Sequence, residues 1–429
     1  MKYNPVDSLL FKRNRENFIS KLKFNAIALF NSNDQYLRSG DQTFPFRQNS
    51  DLFYLTGIDQ EESILLLFPD CPNLAYKEVL FIRQTSDLIR VWEGHKYTKE
   101  QAAEVSGITK VYWLDEFWAV LSSIINYSEA IYLNTNENDR STEEISTRDW
   151  RFIVTLKSRY PLHEYKRAAP ILRELRAVKS EIETELTKRA CRITKDAFTR
   201  VLKLVKPGVK EYEIEAEIIH EFIRQGATGH AYSPIIASGA NATILHYNDN
   251  NQVCKDGEVI LFDFGAEYAN YNADLSRSIP VNGRFTERQR DVYKSVLHVF
   301  KEAKKMLISD TIWNEYQTEV GKIMSDQLVQ LGLFTKFDVE RQNPEMPLYK
   351  NYFMHGTSHH LGLDVHDFAS RYRPFEPGNI LTCEPGIYIK EEGLGIRLEN
   401  DILITSDGNI DLMADIQIEL EEIEDIMNA

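Results

Sequence analysis

Four of the ten histidines, His355, His359, His360 and His366, fall in the stretch Met354-His-Gly-Thr-Ser-His-His-Leu-Gly-Leu-Asp-Val-His-Asp367. Imidazole suits metal ligation or proton transfer near neutral pH, and glycine lets the backbone come close to whatever sits there. Surface or capping histidines show the same spacing, so the stretch takes its meaning from its neighbours. Those neighbours are acids on apolar strands. Asp263 lies in Glu258-Val-Ile-Leu-Phe-Asp-Phe-Gly265 and Asp274 in Ala273-Asp-Leu-Ser-Arg-Ser-Ile279. Glu384 ends Ile380-Leu-Thr-Cys-Glu384, and Glu399 lies in Ile396-Arg-Leu-Glu-Asn-Asp-Ile-Leu-Ile404. A turn near Tyr268-Ala269 would set Asp263 opposite Asp274, and one near Glu391-Glu392 would set Glu384 opposite Glu399. Opposed residues have Cβ atoms about 5 Å apart on one sheet face. Like charges so placed destabilise a sheet unless a cation lies between them. Solvated edge strands are the alternative, but Val259–Phe264 reads as buried on both faces, where an unpaired carboxylate is costly.

Four carboxylates and one imidazole make a cage for two divalent ions, with charges roughly balanced. Hard oxygens with a single nitrogen favour manganese, iron or cobalt over a thiolate-type zinc site. Two adjacent metals can share a bridging hydroxide, lower its pKa and clamp an attacked carbonyl. The residues therefore read as a dinuclear hydrolase, and neither a Gly-x-Ser-x-Gly elbow nor a His-Glu-x-x-His competes.

The elements that must position these groups follow from the pattern of the chain. Its 429 residues suffice for about two or three domains, and 43% apolar with 27% charged residues is ordinary for a soluble globular protein. The net charge of −15 argues against nucleic acid or an anionic membrane as main partner. Cys71, Cys191, Cys254 and Cys383 are too scattered for a disulfide framework or thiolate zinc site. The N-terminus lacks an apolar signal core and no run reaches transmembrane length, so a reducing cytoplasm is the expected compartment.

Ala26–Phe30, Ser63–Phe68, Val79–Ile82 and Ala130–Leu133 read as buried strands, with a helical pattern over Leu114–Ile125. That alternation predicts a small α/β domain. Composition turns basic from Leu156 to Lys179, and Ser180-Glu-Ile-Glu183 is a capping box. The domain change is placed near residue 170, giving 1–170 and 171–429. Beyond it, helices are expected over 181–205 and 211–225, a strand pair, helices over 286–308 and 311–332, and a second strand pair. Helix, helix, hairpin thus occurs twice, which hints at pseudo-twofold architecture. The tail Ile416–Met427 reads as an acidic amphipathic helix or strand extension, and of its readings a solvated end is preferred.

Asn241-Ala-Thr-Ile-Leu-His-Tyr247, Asp263-Phe-Gly265, Ala273-Asp-Leu-Ser-Arg277, His355-Gly-Thr-Ser-His359, Gly362-Leu-Asp-Val-His-Asp367, Thr382-Cys-Glu-Pro-Gly-Ile-Tyr388 and Gly395-Ile-Arg-Leu-Glu-Asn400 occur in one order. In that order they resemble aminopeptidase P, the Xaa-Pro aminopeptidases of pita-bread metallopeptidase fold. Arg38-Ser-Gly-Asp41 and Phe46–Gly57 look like that family's N-terminal domain, so the resemblance spans nearly the whole chain. It implies an α/β N-terminal domain of the creatinase/prolidase kind and an α+β pita-bread catalytic domain. It implies Asp263, Asp274, His359, Glu384 and Glu399 as ligands of two metal ions, usually manganese, bridged by Asp274 and Glu399. His246, His355 and His366 match histidines around the substrate, Glu384 the proton shuttle, and Arg397 and Tyr388 supporting positions. His360 is expected to wall the pocket, and Cys383 to point away from the metals.

The implied reaction is removal of the N-terminal residue from peptides with proline second, by attack of a hydroxide bridging the metals. Prolidase, which takes only Xaa-Pro dipeptides on the same fold, is the alternative. A non-catalytic pita-bread binding protein is the rival from another class, and its relatives have typically lost metal ligands that this chain retains. The resemblance also implies a homodimer or homotetramer.

Overall fold

The residues described in the computed structural model are 2–141, 144–367 and 369–429. They form two compact units, 3–176 and 177–429. Residue 170 lies inside the helix Ala169–Ala177, and the division falls at that helix's end.

In the N-terminal unit the fully buried strand Ala26–Asn31 sits inside a six-stranded mixed sheet. It pairs antiparallel with Ile64–Leu67 and parallel with Ala130–Leu133. Glu78–Ile82 extends the first side. Two further strands, Val111–Trp113 and Glu164–Arg167, complete the edges. Neither was expected from the sequence: one is three residues long, and the other is the polar run Glu-Tyr-Lys-Arg, with no buried residue to mark it. Ile27, Leu29, Leu66 and Phe81 pack with Phe117 and Leu121 into one apolar core.

The second unit opens on the capping box. The Ser180 amide donates to Glu183 Oε2 at 2.8 Å, starting the helix Glu181–Leu204. Glu211–Arg224 packs beside it. The first acidic hairpin then differs from expectation by two residues. Tyr268 pairs with Tyr271, and the turn falls on Ala269-Asn270, whose φ values are 51° and 64°. Two-residue hairpin turns need positive φ, which asparagine tolerates and a tyrosine resists. Val259–Asp263 therefore pairs with Ser276–Pro280 so that Asp263 faces Ser276, not Asp274. Because side chains alternate with period two, the shift leaves both acids on the same face.

In the second hairpin Cys383 pairs with Asn400 and Gly386 with Arg397, which keeps Glu384 in register with Glu399. Its connection is the short 3-10 turn Lys390–Glu392, closed by Gly393. The helices Glu287–Met306 and Trp313–Gln330 come between the hairpins.

The tail is not a solvated end. Leu420–Met427 is a helix that buries Leu420, Ile423 and Glu424. The Glu424 carboxylate accepts from the Phe285 amide at 2.8 Å and pairs with Arg284 and Arg290. Among the described residues no helix is long and apolar enough to cross a membrane.

Gly265 permits the close strand approach that follows Asp263. A Cβ there would lie 1.6 Å from the Ala273 carbonyl oxygen. Gly265→Ala must push the two strands apart, and overpacking on that scale costs about 3 kcal/mol or more. The expected outcome is a lowered urea midpoint with an unchanged slope, and loss of peptidase activity in whatever protein remains folded.

Candidate active site

Asp263, Asp274, Glu384 and Glu399 all face one cavity of about 260 Å³, with His246, His355, His359 and His366 among its other lining residues. The backbone beneath the acids is pinned from behind. The Asp274 amide donates to the buried carboxylate of Asp401 at 3.1 Å. The buried guanidinium of Arg277 donates to the Glu399 carbonyl at 2.7 Å. Ser276, opposite Asp263, donates its hydroxyl to Glu399 Oε2 at 2.6 Å. In this way both hairpins are tied to each other at the acids.

Asp274, His359 and Glu399 are buried and offer ligand atoms that all lie within 4.8 Å of one another. His359 Nε2 is 3.4 Å from Asp274 Oδ2 and 3.5 Å from Glu384 Oε1. Its Nδ1 is 3.1 Å from the His360 carbonyl, which orients the ring so that Nε2 faces the acids. The His359 amide donates to Thr382 Oγ1 at 3.0 Å, holding this segment to the second hairpin.

One cation serves the whole carboxylate group. Arg397 donates to Asp263 Oδ2 at 2.5 Å, to Tyr388 Oη at 2.8 Å and to Ser276 Oγ at 2.8 Å. Tyr388 Oη in turn lies 2.7 Å from His355 Nε2. The Asp263, Arg397, Tyr388 and His355 side chains thus form one continuous polar chain. Burial opposes charge on Arg397, but Tyr388, Asp263 and Glu399 outweigh it and hold the guanidinium protonated. Burial, with the charge of Arg397 next, pulls the His355 imidazole down to about 3.

Burial, then the charge of Asp263, drives the Asp274 carboxyl well above the usual range. Burial and the charges of Asp274 and Glu384 do the same to Glu399. Glu384 rises to about 7, mainly by burial. One arginine cannot neutralise four crowded carboxylates, so the protein alone holds protons that divalent cations would displace. The hard oxygen donors, the single imidazole and their mutual distances fit such ions.

Tyr232 was missed from the sequence. Its hydroxyl donates to Asp263 Oδ1 at 2.6 Å and also contacts Asp274. A lone tyrosine ahead of Ser233-Pro234 carries no motif, and only the folded hairpin brings it to the acids. His360, expected as pocket wall, lies outside the cavity lining. It is buried and stacks on Trp313, ring centroids 6.0 Å apart. The alternation that turns His359 toward the acids turns His360 into the packing behind them. Cys383 is also buried, with Sγ 3.8 Å from the Phe300 carbonyl in the helix Glu287–Met306.

Comparison with known proteins agrees with this geometry. Residues 185–406 match metallopeptidase family M24, and residues 11–132 match the aminopeptidase P N-terminal domain. The chain is 35% identical to the Xaa-Pro aminopeptidase of Haemophilus influenzae, over 97% of each chain. Its structure resembles zinc-substituted Escherichia coli aminopeptidase P in complex with product, with a TM-score of 0.88, 33% identity and 99% of both chains covered. Aminopeptidase PepP of Pseudomonas aeruginosa is similar at a TM-score of 0.89 and 31% identity, covering 100% of this chain and 99% of that one. The chain belongs to the metallopeptidase family M24, with an aminopeptidase P N-terminal domain. Within that family it is a metal-dependent exopeptidase of the Xaa-Pro aminopeptidase kind.

Proposed function

We propose that the unit 177–429 is the catalytic domain and that the cavity described above releases the residue preceding proline from longer peptides. The observation that carries the reading is the polar chain Asp263, Arg397, Tyr388 and His355, which runs from the carboxylates to the histidines along one cavity. Asp263, Asp274, His359, Glu384 and Glu399 would hold two divalent ions; the donors suit manganese, iron or cobalt, and the family resemblance favours manganese. When bound, such ions activate a water molecule and polarise the scissile carbonyl.

The side chains supply the rest. A bond preceding proline has no N–H, and its fixed ring distorts the register on which ordinary proteases rely. Recognition must then come from the two ends of the scissile unit. Asp263, steadied by Arg397 and Tyr232, takes the free α-amine of the substrate. His246 and His366 stand on the cavity wall where charge develops on the carbonyl oxygen, and donate to it. Glu384 accepts the proton of the attacking water and returns it to the proline nitrogen as the C–N bond breaks. His355, 3.4 Å from Glu384 Oε2, positions that carboxyl.

The full-length match to Xaa-Pro aminopeptidases favours longer peptides over the dipeptides of a prolidase. We also place the chain in the cytoplasm, as a homodimer or homotetramer. The test is hydrolysis of an Xaa-Pro-Xaa-Xaa peptide beside an Xaa-Pro dipeptide, after chelation and again with manganese added back. The expected result is cleavage of the longer peptide, lost on chelation and restored by the metal. Cleavage of the dipeptide alone would move the reading to prolidase.

A further inference from the structure

His246 is not held in place by its own side chain. It lines the cavity as an exposed residue, and its ring makes no hydrogen bond among the described residues. Its aim at a carbonyl oxygen therefore depends on the backbone that carries it. That backbone is anchored at the next residue. Tyr247 is buried, and its ring belongs to a small apolar cluster with Ile235, Leu261 and Tyr388. Its hydroxyl donates to Glu211 Oε2 at 2.8 Å.

Glu211 begins the helix Glu211–Arg224 and is 0% exposed. Its carboxylate accepts four hydrogen bonds. Oε1 takes the Ser238 amide at 2.8 Å and the Ser238 hydroxyl at 2.7 Å. Oε2 takes the Tyr247 hydroxyl and, at 2.9 Å, the Gln252 amide. One carboxylate thus ties together the start, the middle and the end of the segment 238–252 that carries His246.

The helix itself does not require this acid. Acidic residues are favourable in a first turn, but Glu213 already serves there, accepting from the Lys210 amide at 2.8 Å. Glu211 has instead been taken wholly out of water, a cost that only full hydrogen bonding offsets. It does not line the cavity, so it touches no substrate. We propose that Glu211 is a positioning residue for the reaction: by holding Tyr247 and both ends of the segment, it fixes His246 against the substrate carbonyl oxygen. The proposal rests on the role given to His246 above.

A double-mutant cycle separates this role from a purely structural one. The proteins are Glu211→Gln, Tyr247→Phe, His246→Ala and the two doubles with His246→Ala, full length and manganese-loaded, assayed on an Xaa-Pro-Xaa-Xaa peptide. Glutamine keeps the shape but turns an NH2 group toward one pair of donors, and a backbone N–H cannot rotate away from it. Phenylalanine keeps the packed ring and drops only the hydroxyl. His246→Ala should lower kcat about 10²-fold, the scale of one lost oxyanion donor. Glu211→Gln and Tyr247→Phe should each lower kcat about tenfold with KM nearly unchanged, because the His246 contact is made only in the transition state. Manganese content per chain should stay at the parent value, since His246 is not among the proposed ligands. In the His246→Ala background each substitution should cost less than about twofold more. If Glu211→Gln fails to fold, the cycle is read from Tyr247→Phe alone. Equal losses in both backgrounds, or parent-like turnover of Glu211→Gln and Tyr247→Phe beside a slow His246→Ala, overturn this proposal alone. Parent-like turnover of His246→Ala overturns the role of His246 and this proposal with it.

Discussion

Glu384→Gln is expected to lower kcat/KM on an Xaa-Pro-Xaa-Xaa peptide by about 10³-fold or more, the range for losing a positioned proton carrier. The substitution preserves shape and removes the one function an amide cannot perform, accepting and returning a proton. It also removes a charge from the proposed metal cage, so metal content per chain should fall. The two effects separate by titration: excess manganese should refill the site without restoring turnover. Full recovery at high manganese would leave Glu384 as a ligand alone. Cys383→Ala, one residue earlier, is the control. Its side chain faces the helix Glu287–Met306, so kcat/KM should stay within about threefold while stability drops by about 1 kcal/mol.

The acids were legible because a carboxylate in the middle of an apolar strand is costly without a partner, and each stood at a position of the right parity. Parity survives an error of two residues, so the first hairpin could slip from Asp274 to Ser276 as the partner of Asp263 without moving either acid off its face. The turn that decided it, Ala269-Asn270, carries no glycine and gives a weak local signal. Contacts between distant segments were out of reach. Tyr232 joins Asp263 and Asp274 across 31 and 42 residues. Glu424 meets Arg284 and Arg290 across 140 and 134 residues, and without them its helix reads as acidic and solvated. A residue whose meaning lies wholly in its partners has no local pattern to read.

The carboxylate crowding leads to the second large effect: the chelated protein should lose stability as pH rises from 5 to 8, and metal should restore it. The sign follows from proton linkage. Burial raises the Glu384 carboxyl to about 7 and drives Asp274 and Glu399 well above their ordinary values. A raised carboxyl keeps its proton in the native state at a pH where the unfolded chain has released it. The native state then binds more protons than the unfolded one, so stability falls with pH, beginning near pH 4 and continuing through the folded-state values. For Glu384 the displacement from 4.5 to about 7 corresponds to about 3 kcal/mol, fully developed above pH 7. Asp274 and Glu399 add to it with the same sign.

Divalent ions bind only the folded, deprotonated cage. At a thousandfold excess over Kd one such ion contributes about 4 kcal/mol. In a unit of this size that moves Tm by roughly 10 °C. The gap between the melting curves of manganese-loaded and chelated protein should therefore widen from pH 5 to pH 8. A chelated protein whose Tm is flat or rises over that range would mean that the charge of Arg397 and the hydroxyl of Tyr232 already stabilise the ionised acids. The cage would then have no need of a cation, and the physical argument for metal at this site would fail.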